Sequence, residues 1–351
     1  MRRKTSIVFL CLAFLTLLSC GGRIVVLSYN VENLFDDRED GREYPEYRGR
    51  SWSPQMYQRK LAAVARAVKA SGPGGPDILC LQEIESEKAL RDLRDGYLES
   101  LGYRYLVFVP QAGVAATVGC LSRIEVLRTR VHDAGSFRGV PLRHILEIQL
   151  QHEGSILYLF NNHWKSKIEG AEITASARRQ AAEVLAQRVR QILDSEPQAD
   201  LLVVGDLNEN LEEHEQSGGR YRTAIAVMGE DENQPAPGGL LFVTAHTQQA
   251  GLRYGRLVFY EPWYEIPPER RGSTAYEGHW QTPDRILLSA GLFDREGFVY
   301  VADSFEVIRA QFLVLPDSGF PLRWDLGAED GGGGTSDHLP VCITVRMADR
   351  R

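Results

Sequence analysis

An aspartate and a histidine stand side by side at Asp337 and His338, after a glycine run and before the apolar alternation that starts at Val341. Four earlier apolar runs end in the same way. Ile24 to Tyr29 runs into Asn30, Ile78 to Leu81 into Glu83, Ile156 to Phe160 into Asn162 and His163, and Leu201 to Val204 into Asp206 and Asn208. Polar groups delivered at strand mouths are where sites are usually built. The residue types narrow the chemistry. Carboxylates such as Glu83 and Asp337 offer hard oxygen ligands to a magnesium ion that keeps several waters, which cysteine or histidine clusters would not. Histidine titrates near neutral pH, so His163 and His338 can share the proton transfers of a hydrolysis. A hard cation with an acid and a base is what phosphoryl transfer to water requires. Each group alone has a plainer explanation: Asn30 as an Asx turn, His163 as a core histidine, Lys165 and Lys167 as a solvated face. The repetition along the chain is what argues for a site.

The elements that carry these groups follow from periodicity. Ile24 to Tyr29 is a strand, and the charged, aromatic Asp36 to Arg50 has no period and reads as a surface loop. Ser53 at the cap and Pro54 in the first turn open a helix with Tyr57, Leu61, Val64 and Val68 as its buried stripe. Asp77 to Leu81 is the next strand, and Ser86 caps a second helix spanning Lys88 to Glu99. Tyr105 to Val109, Thr117 to Ser122, His144 to Leu150 and Ile156 to Asn161 follow as an antiparallel meander, which makes the sheet mixed rather than parallel. Arg143, heading one of these runs, is either a solvated edge residue or a clamp on a ligand. Lys165 and Lys167, directly behind His163, suit a site that receives a phosphate oxygen. Thr174 caps a long helix with Ala177, Ala181, Leu185 and Val189 on its buried side. Leu201 to Val204 is the continuous apolar run of a central strand covered on both faces. Glu209 to Thr282 reads as loops with one helix at Tyr221 to Met228. Its aromatic cluster of Tyr254, Phe259, Tyr260, Trp263 and Tyr264 either packs or stacks on a substrate. Asp284 opens a further strand, and Phe298 to Phe305 is another.

The chain of 351 residues is 43% apolar, ample for a core, and its formal charge of -7 argues against a broad basic face that coats nucleic acid. No repeat, linker or low-complexity block divides residues 21–351, which form one domain with Arg23 to Met347 as its body. Residues 1–20 differ. Arg2, Arg3 and Lys4 precede the apolar Ile7 to Leu18, too short for a comfortable membrane span, as in a secretory signal. Leu17-Leu18-Ser19-Cys20 resembles a bacterial lipobox, which implies acylation of Cys20 and a lipid anchor in the cell envelope; the competing reading is an uncleaved N-terminal anchor. Cys80, Cys120 and Cys342 lie within apolar strands and are expected as buried thiols without a disulfide framework.

Six motifs, in order and across nearly the whole mature chain, resemble the endonuclease/exonuclease/phosphatase superfamily. They are Tyr29-Asn30-Val31-Glu32-Asn33-Leu34, Leu81-Gln82-Glu83, Asn161-Asn162-His163, Gly205-Asp206-Leu207-Asn208, Pro283-Asp284-Arg285-Ile286-Leu287 and Ser336-Asp337-His338-Leu339-Pro340. The resemblance implies an α/β fold: a four-layer α/β sandwich, with two mixed β-sheets packed face to face, helices on the outer faces and the site at one end. It implies Mg2+, with Mn2+ or Ca2+ as substitutes, held by Glu83 with the help of Asn30 and Asp337. Asp206 and Asn208 would orient the attacking water and a phosphate oxygen, Asp284 would hold the ring of His338, and His163 would serve the phosphate or leaving group. Relatives place the base at either the histidine or the position of Asp206, and the role of Glu32 is left open. The expected activity is a metal-dependent phosphodiesterase of the envelope, a nuclease acting on DNA or RNA, with Lys165 and Lys167 on phosphates flanking the scissile one. Phospholipid or inositol-phosphate hydrolysis on the same scaffold is the alternative, and a surface lipoprotein that binds without catalysis is the rival from another class. No protein partner is implied.

Overall fold

The computed structural model describes residues 22–228, 240–253, 256–327 and 333–349. Cys20, the lipobox and Tyr254 therefore lie outside the described residues. In chain order the elements begin β1 (Arg23–Leu34), α1 (Pro54–Lys69), β2 (Ile78–Ile84), α2 (Glu87–Asp92), β3 (Tyr105–Phe108), β4 (Thr117–Ser122) and β5 (Glu125–His132). Then come β6 (Ser136–Phe137), β7 (Val140–Pro141), β8 (Ile145–His152), β9 (Ser155–His163), α3 (Ala171–Ser195), β10 (Asp200–Asp206) and α4 (Glu213–Ser217). Short strands β11 (Ile225–Val227), β12 (Leu241–Thr244), β13 (Gly251–Arg253), β14 (Arg256–Tyr260), β15 (Thr274–Tyr276) and β16 (His279–Gln281) lead to β17 (Asp284–Leu288), β18 (Phe298–Tyr300), β19 (Glu306–Val307) and β20 (Val341–Met347).

One sheet has the order β18-β20-β1-β2-β4-β3, and the other runs β11-β12-β14-β17-β10-β9-β8-β5. Both are mixed: β1 is parallel to β2 and antiparallel to β20, and β10 is parallel to β9 and antiparallel to β17. The alternation of side chains explains the layers. On β10, Leu202 and Val204 join a core shared with the first sheet, whereas Leu201 and Val203 pack with Ala181, Leu185 and Val189 of α3. Leu61, Val64 and Val68 of α1 cover the other sheet in the same core cluster. The fold is thus the expected four-layer sandwich, helices outside and two mixed sheets within.

Several local expectations need correction. Helix α3 begins at Ala171 after Gly170, and Thr174 sits inside its first turn with Oγ1 donating to Gly170 O at 2.8 Å. The helix at Tyr221 to Met228 is instead β11, and the second helix stops at Asp92 and continues as a π turn over Leu93–Tyr97. Strand β5 was not expected. The loop after β1 is anchored rather than loose, since Tyr47 and Glu43 are buried there. Other expectations hold: Ser53 Oγ accepts from Met56 N and Ser86 Oγ from Ala89 N as the helix caps, and all three cysteines are free and buried. Phe259, Tyr260 and Trp263 are core, with Trp263 Nε1 donating to Asp284 O at 2.9 Å.

Candidate active site

The inner face of the second sheet carries Leu157 and Leu159 on β9, Leu202 and Val204 on β10, and Ile286 and Leu288 on β17. Stepping on by two residues places His163, Asp206 and Asp284 on that same face. The register then aligns them, His163 opposite Asp206 and Asp206 opposite Asp284. Residues distant in sequence form one rung across three neighbouring strands, at the end where β9 and β10 leave the sheet. His163 Nε2 lies 3.6 Å from Asp206 Oδ2 and 3.7 Å from Glu83 Oε1.

Glu83 comes from the opposite sheet, through a β-bulge. Gln82 points inward to Asn161 Oδ1 at 2.8 Å, so strict alternation would turn Glu83 away. Gln82 pairs with Val118 and Ile84 with Thr117, and the extra residue, Glu83, takes φ 65° and turns back toward the site. A second irregularity in β1 places Glu32 (φ 51°) and Asn33 (φ 58°) in the left-handed region, and Asn208 (φ 51°) is the fourth such residue here. Backbone of this kind costs about 1–3 kcal/mol per residue and is held by its surroundings. Asn33 N donates to Glu83 Oε2 at 2.9 Å, and Asn208 N to Asp206 Oδ1 at 2.9 Å. Asn30 Nδ2 lies 3.1 Å from both Glu83 Oε1 and Asp206 Oδ2, so one amide links carboxylates of the two sheets.

The loop before β20 supplies the remaining groups. His338 Nδ1 meets Asp284 Oδ2 at 2.7 Å, and Ser273 Oγ donates to the same oxygen at 2.6 Å. His338 Nε2 thus faces Asp206 Oδ2 at 3.9 Å. Glu32, whose role was open, is the strut of this loop. Its buried carboxylate accepts from Asp337 N at 2.9 Å and Trp324 N at 3.2 Å and pairs with Arg323. Lys60, fully buried on the inner stripe of α1, donates to Thr335 O at 2.6 Å. Sequence reading missed both roles, although a lysine three residues after Tyr57 on an apolar helix face is a usable signal.

Burial and neighbouring charges divide the titratable groups. Burial pushes the Asp206 carboxyl up to about 6; His338 pulls against this, and Asp284 adds to it. Burial and the charges of Arg143 and His338 hold His163 well below the usual imidazole range, so it is neutral. Burial also opposes a charged His338, but Asp284, Asp206 and Asp337 outweigh it and raise its pKa well above the usual value, so the ring is protonated at neutral pH. Glu32 is pushed up to about 7 by burial and then Asp337, with Lys60 and Arg323 acting against them.

Among the described residues, five carboxylates (Glu32, Glu83, Asp206, Asp284, Asp337) meet four cationic groups here, Lys60, Arg323, His338 and Arg143. Glu83 accepts one hydrogen bond on each oxygen, and Asp337, with its side chain 39% exposed, accepts none among the described residues. This excess of hard oxygen donors fits a divalent cation of the magnesium type. A tighter carboxylate group joins Asp40 and Glu43, on the loop after β1, to Glu85, just past β2, where amides of Asp36, Asp40 and Gly41 already serve Glu85 and Glu43; it contains none of the expected metal ligands. The two lysines expected at the substrate make ion pairs within the protein, Lys165 with Glu169 at 2.5 Å and Lys167 with Glu213 at 2.8 Å. Asn208 joins the site through its backbone, while its Nδ2 donates to Trp164 O at 3.1 Å.

The family model for the endonuclease/exonuclease/phosphatase family matches residues 25–220 and 220–347. The chain belongs to that family. No curated protein matches it. Among solved structures, truncated Caenorhabditis elegans TDP2 is 16% identical, with a TM-score of 0.51, over 93% of this chain and 98% of that one. An endonuclease/exonuclease/phosphatase family protein from Bacteroides thetaiotaomicron is 14% identical, TM-score 0.52, over 93% and 98%. ANGEL2, described as a 2',3'-cyclic phosphatase, is 14% identical, TM-score 0.56, over 93% and 96%. At these identities the structural neighbours speak for the fold, and the family match makes the chain a phosphoester hydrolase.

Proposed function

We propose that this family member is a divalent-metal phosphodiesterase that cleaves nucleic acid, exported as one domain from Arg23 to Met347 and tethered to the cell envelope through a lipid on Cys20. The observation that carries the chemistry is the His163-Asp206-Asp284 rung facing Asn30 and Glu83 across the sandwich, with His338 closing one side. Glu83 and Asp337, steadied by Asn30, would hold the magnesium, which when bound supplies Lewis acidity at a phosphate oxygen. Asp206, ionised at neutral pH with a proton affinity raised by burial, takes the proton of the attacking water. His338, kept charged by Asp284, delivers a proton to the departing oxygen. This assignment puts the base on Asp206 rather than His338. Neutral His163 offers an N–H to a phosphate oxygen of the substrate, and the Asn208 amide keeps the Asp206 carboxylate aimed. The nucleic-acid reading draws on a structural neighbour, D. rerio TDP2, which is described as complexed with a single-strand DNA product.

The test is to incubate the soluble domain from Arg23 with plasmid DNA, RNA, sphingomyelin and an inositol phosphate, in magnesium or chelator. Nucleic-acid cleavage is expected, abolished by chelator and by Glu83→Gln, and lowered at least about a hundredfold in Asp206→Asn, the usual scale of a general-base contribution. Turnover of lipid or inositol phosphate alone overturns the nuclease assignment. Cleavage that survives both substitutions removes the site itself.

A further inference from the structure

Cys80 and Cys120 are two thiols that the site does not use, and they stand directly opposite each other on β2 and β4. Both side chains are fully buried. They belong to the face of the first sheet that looks into the sandwich, because Gln82, two residues on from Cys80, reaches Asn161 of the second sheet. The ladder settles how close they come. Arg123 N donates to Asp77 O at 2.9 Å, one rung before the pair of Ile78 and Ser122, and on the other side of β4 Val109 N donates to Val118 O at 3.4 Å. Odd-numbered residues of β4 therefore turn their backbone groups to β2 and even-numbered ones to β3, which makes Cys80 and Cys120 a non-hydrogen-bonded pair. Such pairs hold their Cα atoms about 4.5 Å apart, the closer of the two spacings in a ladder, and a disulfide needs about 4.4–6.8 Å. The Cys120 thiol lies within hydrogen-bonding reach of the Cys80 thiol. Cys342 is out of reach of both: β1 lies between β20 and β2, and two strand spacings of about 4.8 Å exceed the span of the bond.

We propose that Cys80 and Cys120 form a disulfide when the chain folds in an oxidising compartment, by exchange with an external disulfide. This rests on the export part of the proposed function, since thiols in a reducing cytosol stay reduced, and not on its chemistry. The Cys80 thiolate attacks one sulfur of the external disulfide, joins it and expels the other half as a thiolate. The Cys120 thiolate then attacks the Cys80 sulfur and expels the second half. The two protons released by the cysteines end on the two expelled thiols; Cys80 and Cys120 together lose two electrons, and the external disulfide gains them. Exchange belongs to the folding chain, before the second sheet covers the pair. In the folded protein burial pushes the Cys80 thiol well above its usual range, and neither side chain reaches solvent. The bond closes a loop of about forty residues and locks β2 against β4 just before Gln82 and Glu83. A slip of one residue there would turn Glu83 to the other face. The cross-link thus fixes the register on which the inward turn of Glu83 depends.

In the experiment the full chain, expressed with its own N-terminal segment in a bacterial host, is taken from the envelope fraction, unfolded in urea with N-ethylmaleimide and mapped by peptide mass. Cys80 and Cys120 are expected unalkylated in one linked peptide pair, with Cys342 alkylated. In urea, the oxidised protein is expected to unfold with an equilibrium constant about thirty- to a thousandfold lower than the same protein refolded with reductant. Cys80→Ala and Cys120→Ala remove that gap, and Cys342→Ala keeps it. The peptide map of wild type decides the pairing even where an alanine variant does not fold. Free Cys80 and Cys120 in chain that has reached the envelope overturn the inference, as does a gap that is absent in wild type or survives Cys80→Ala. If the chain stays in the cytosol with free thiols, the urea-unfolded protein is refolded with oxidised and reduced glutathione. A link between Cys80 and Cys120 formed there leaves the pairing standing while the export reading fails; its absence removes both.

Discussion

Asp284→Asn isolates what the buried carboxylate does for His338. The substitution keeps size and an acceptor oxygen, but removes the charge 2.7 Å from His338 Nδ1, where burial already disfavours the imidazolium. A hydrogen bond to a charged partner contributes about 1.5–3 kcal/mol, which converts to about ten- to a hundredfold in the population of protonated ring. If His338 is the acid, kcat/KM at pH 8 falls by that factor, and the deficit narrows as pH is lowered toward 6 because the ring regains its proton. Stability must follow the same sign. The folded-state pKa of His338 lies above the free value of 6.5, so the dyad stabilises fully below 6.5 and loses that contribution as pH rises through the folded pKa. The melting temperature of the variant should therefore lag wild type most at acidic pH and approach it on the alkaline side. The assay is a pair of pH profiles, one of kcat/KM and one of thermal unfolding. A pH-independent loss of activity, with the alkaline limb unmoved, would refute the assignment of His338 as the acid.

Two further outcomes test the supports of the site. Glu32→Ala leaves the amides of Trp324 and Asp337 without their acceptor and the buried Lys60 without the carboxylate charge that acts on it most, and should cost about 3–5 kcal/mol in guanidinium unfolding; Glu32→Gln, which keeps an acceptor, should cost less yet still lower kcat, and an unaltered kcat would show that Asp337 and His338 need no strut. Gly205→Ala places a Cβ 2.0 Å from Asn162 O on a backbone at φ +126°, so urea titration should show a loss of at least about 1–3 kcal/mol from strain alone. Cleavage should fall further, because Asn162 and Gly205 immediately precede His163 and Asp206, and a variant as stable and as active as wild type would mean that β9 and β10 separate easily.

Most of the fold was legible because alternation and helical stripes survive wherever an element is half covered by core. Strand β5 escaped because it is a sheet edge: Glu125, Arg128 and Arg130 face solvent, so Glu125–His132 has the composition of a loop. Ile225–Val227 was mistaken for helix because three residues contain too little pattern to separate the two periods. The Thr174 expectation failed because a threonine can bond back to a carbonyl four residues earlier as readily as it can cap. At the site, the identity of every strand-end group was legible, but the means of bringing Glu83 inward was not. A bulge is a register event between two strands, and the sequence of one strand does not contain the partner's count. Glu32 was opaque for a related reason, since its partners Arg323, Trp324 and Asp337 are roughly three hundred residues away.

The arrangement also accounts for an asparagine, rather than an acid, at the strand mouth of β1. Glu83 and Asp206 approach each other from opposite sheets, and their negative charges oppose closure of the sandwich at this end. Asn30 Nδ2 supplies a hydrogen for each of them, while Asn30 Oδ1 accepts from Glu32 N at 3.0 Å and so helps hold the left-handed turn that starts there. An aspartate would replace two donors with a third negative charge, and a glutamine would carry the amide a methylene further than the contact allows. The same short amide therefore sets the spacing of the two carboxylates and the backbone conformation that leads to Glu32. Because Glu32 in turn holds Asp337 N, the geometry of the first strand reaches the last loop through consecutive hydrogen bonds. The site is assembled by contacts between sheets and loops, and its precision depends on β1, β2 and the 334–339 segment docking together.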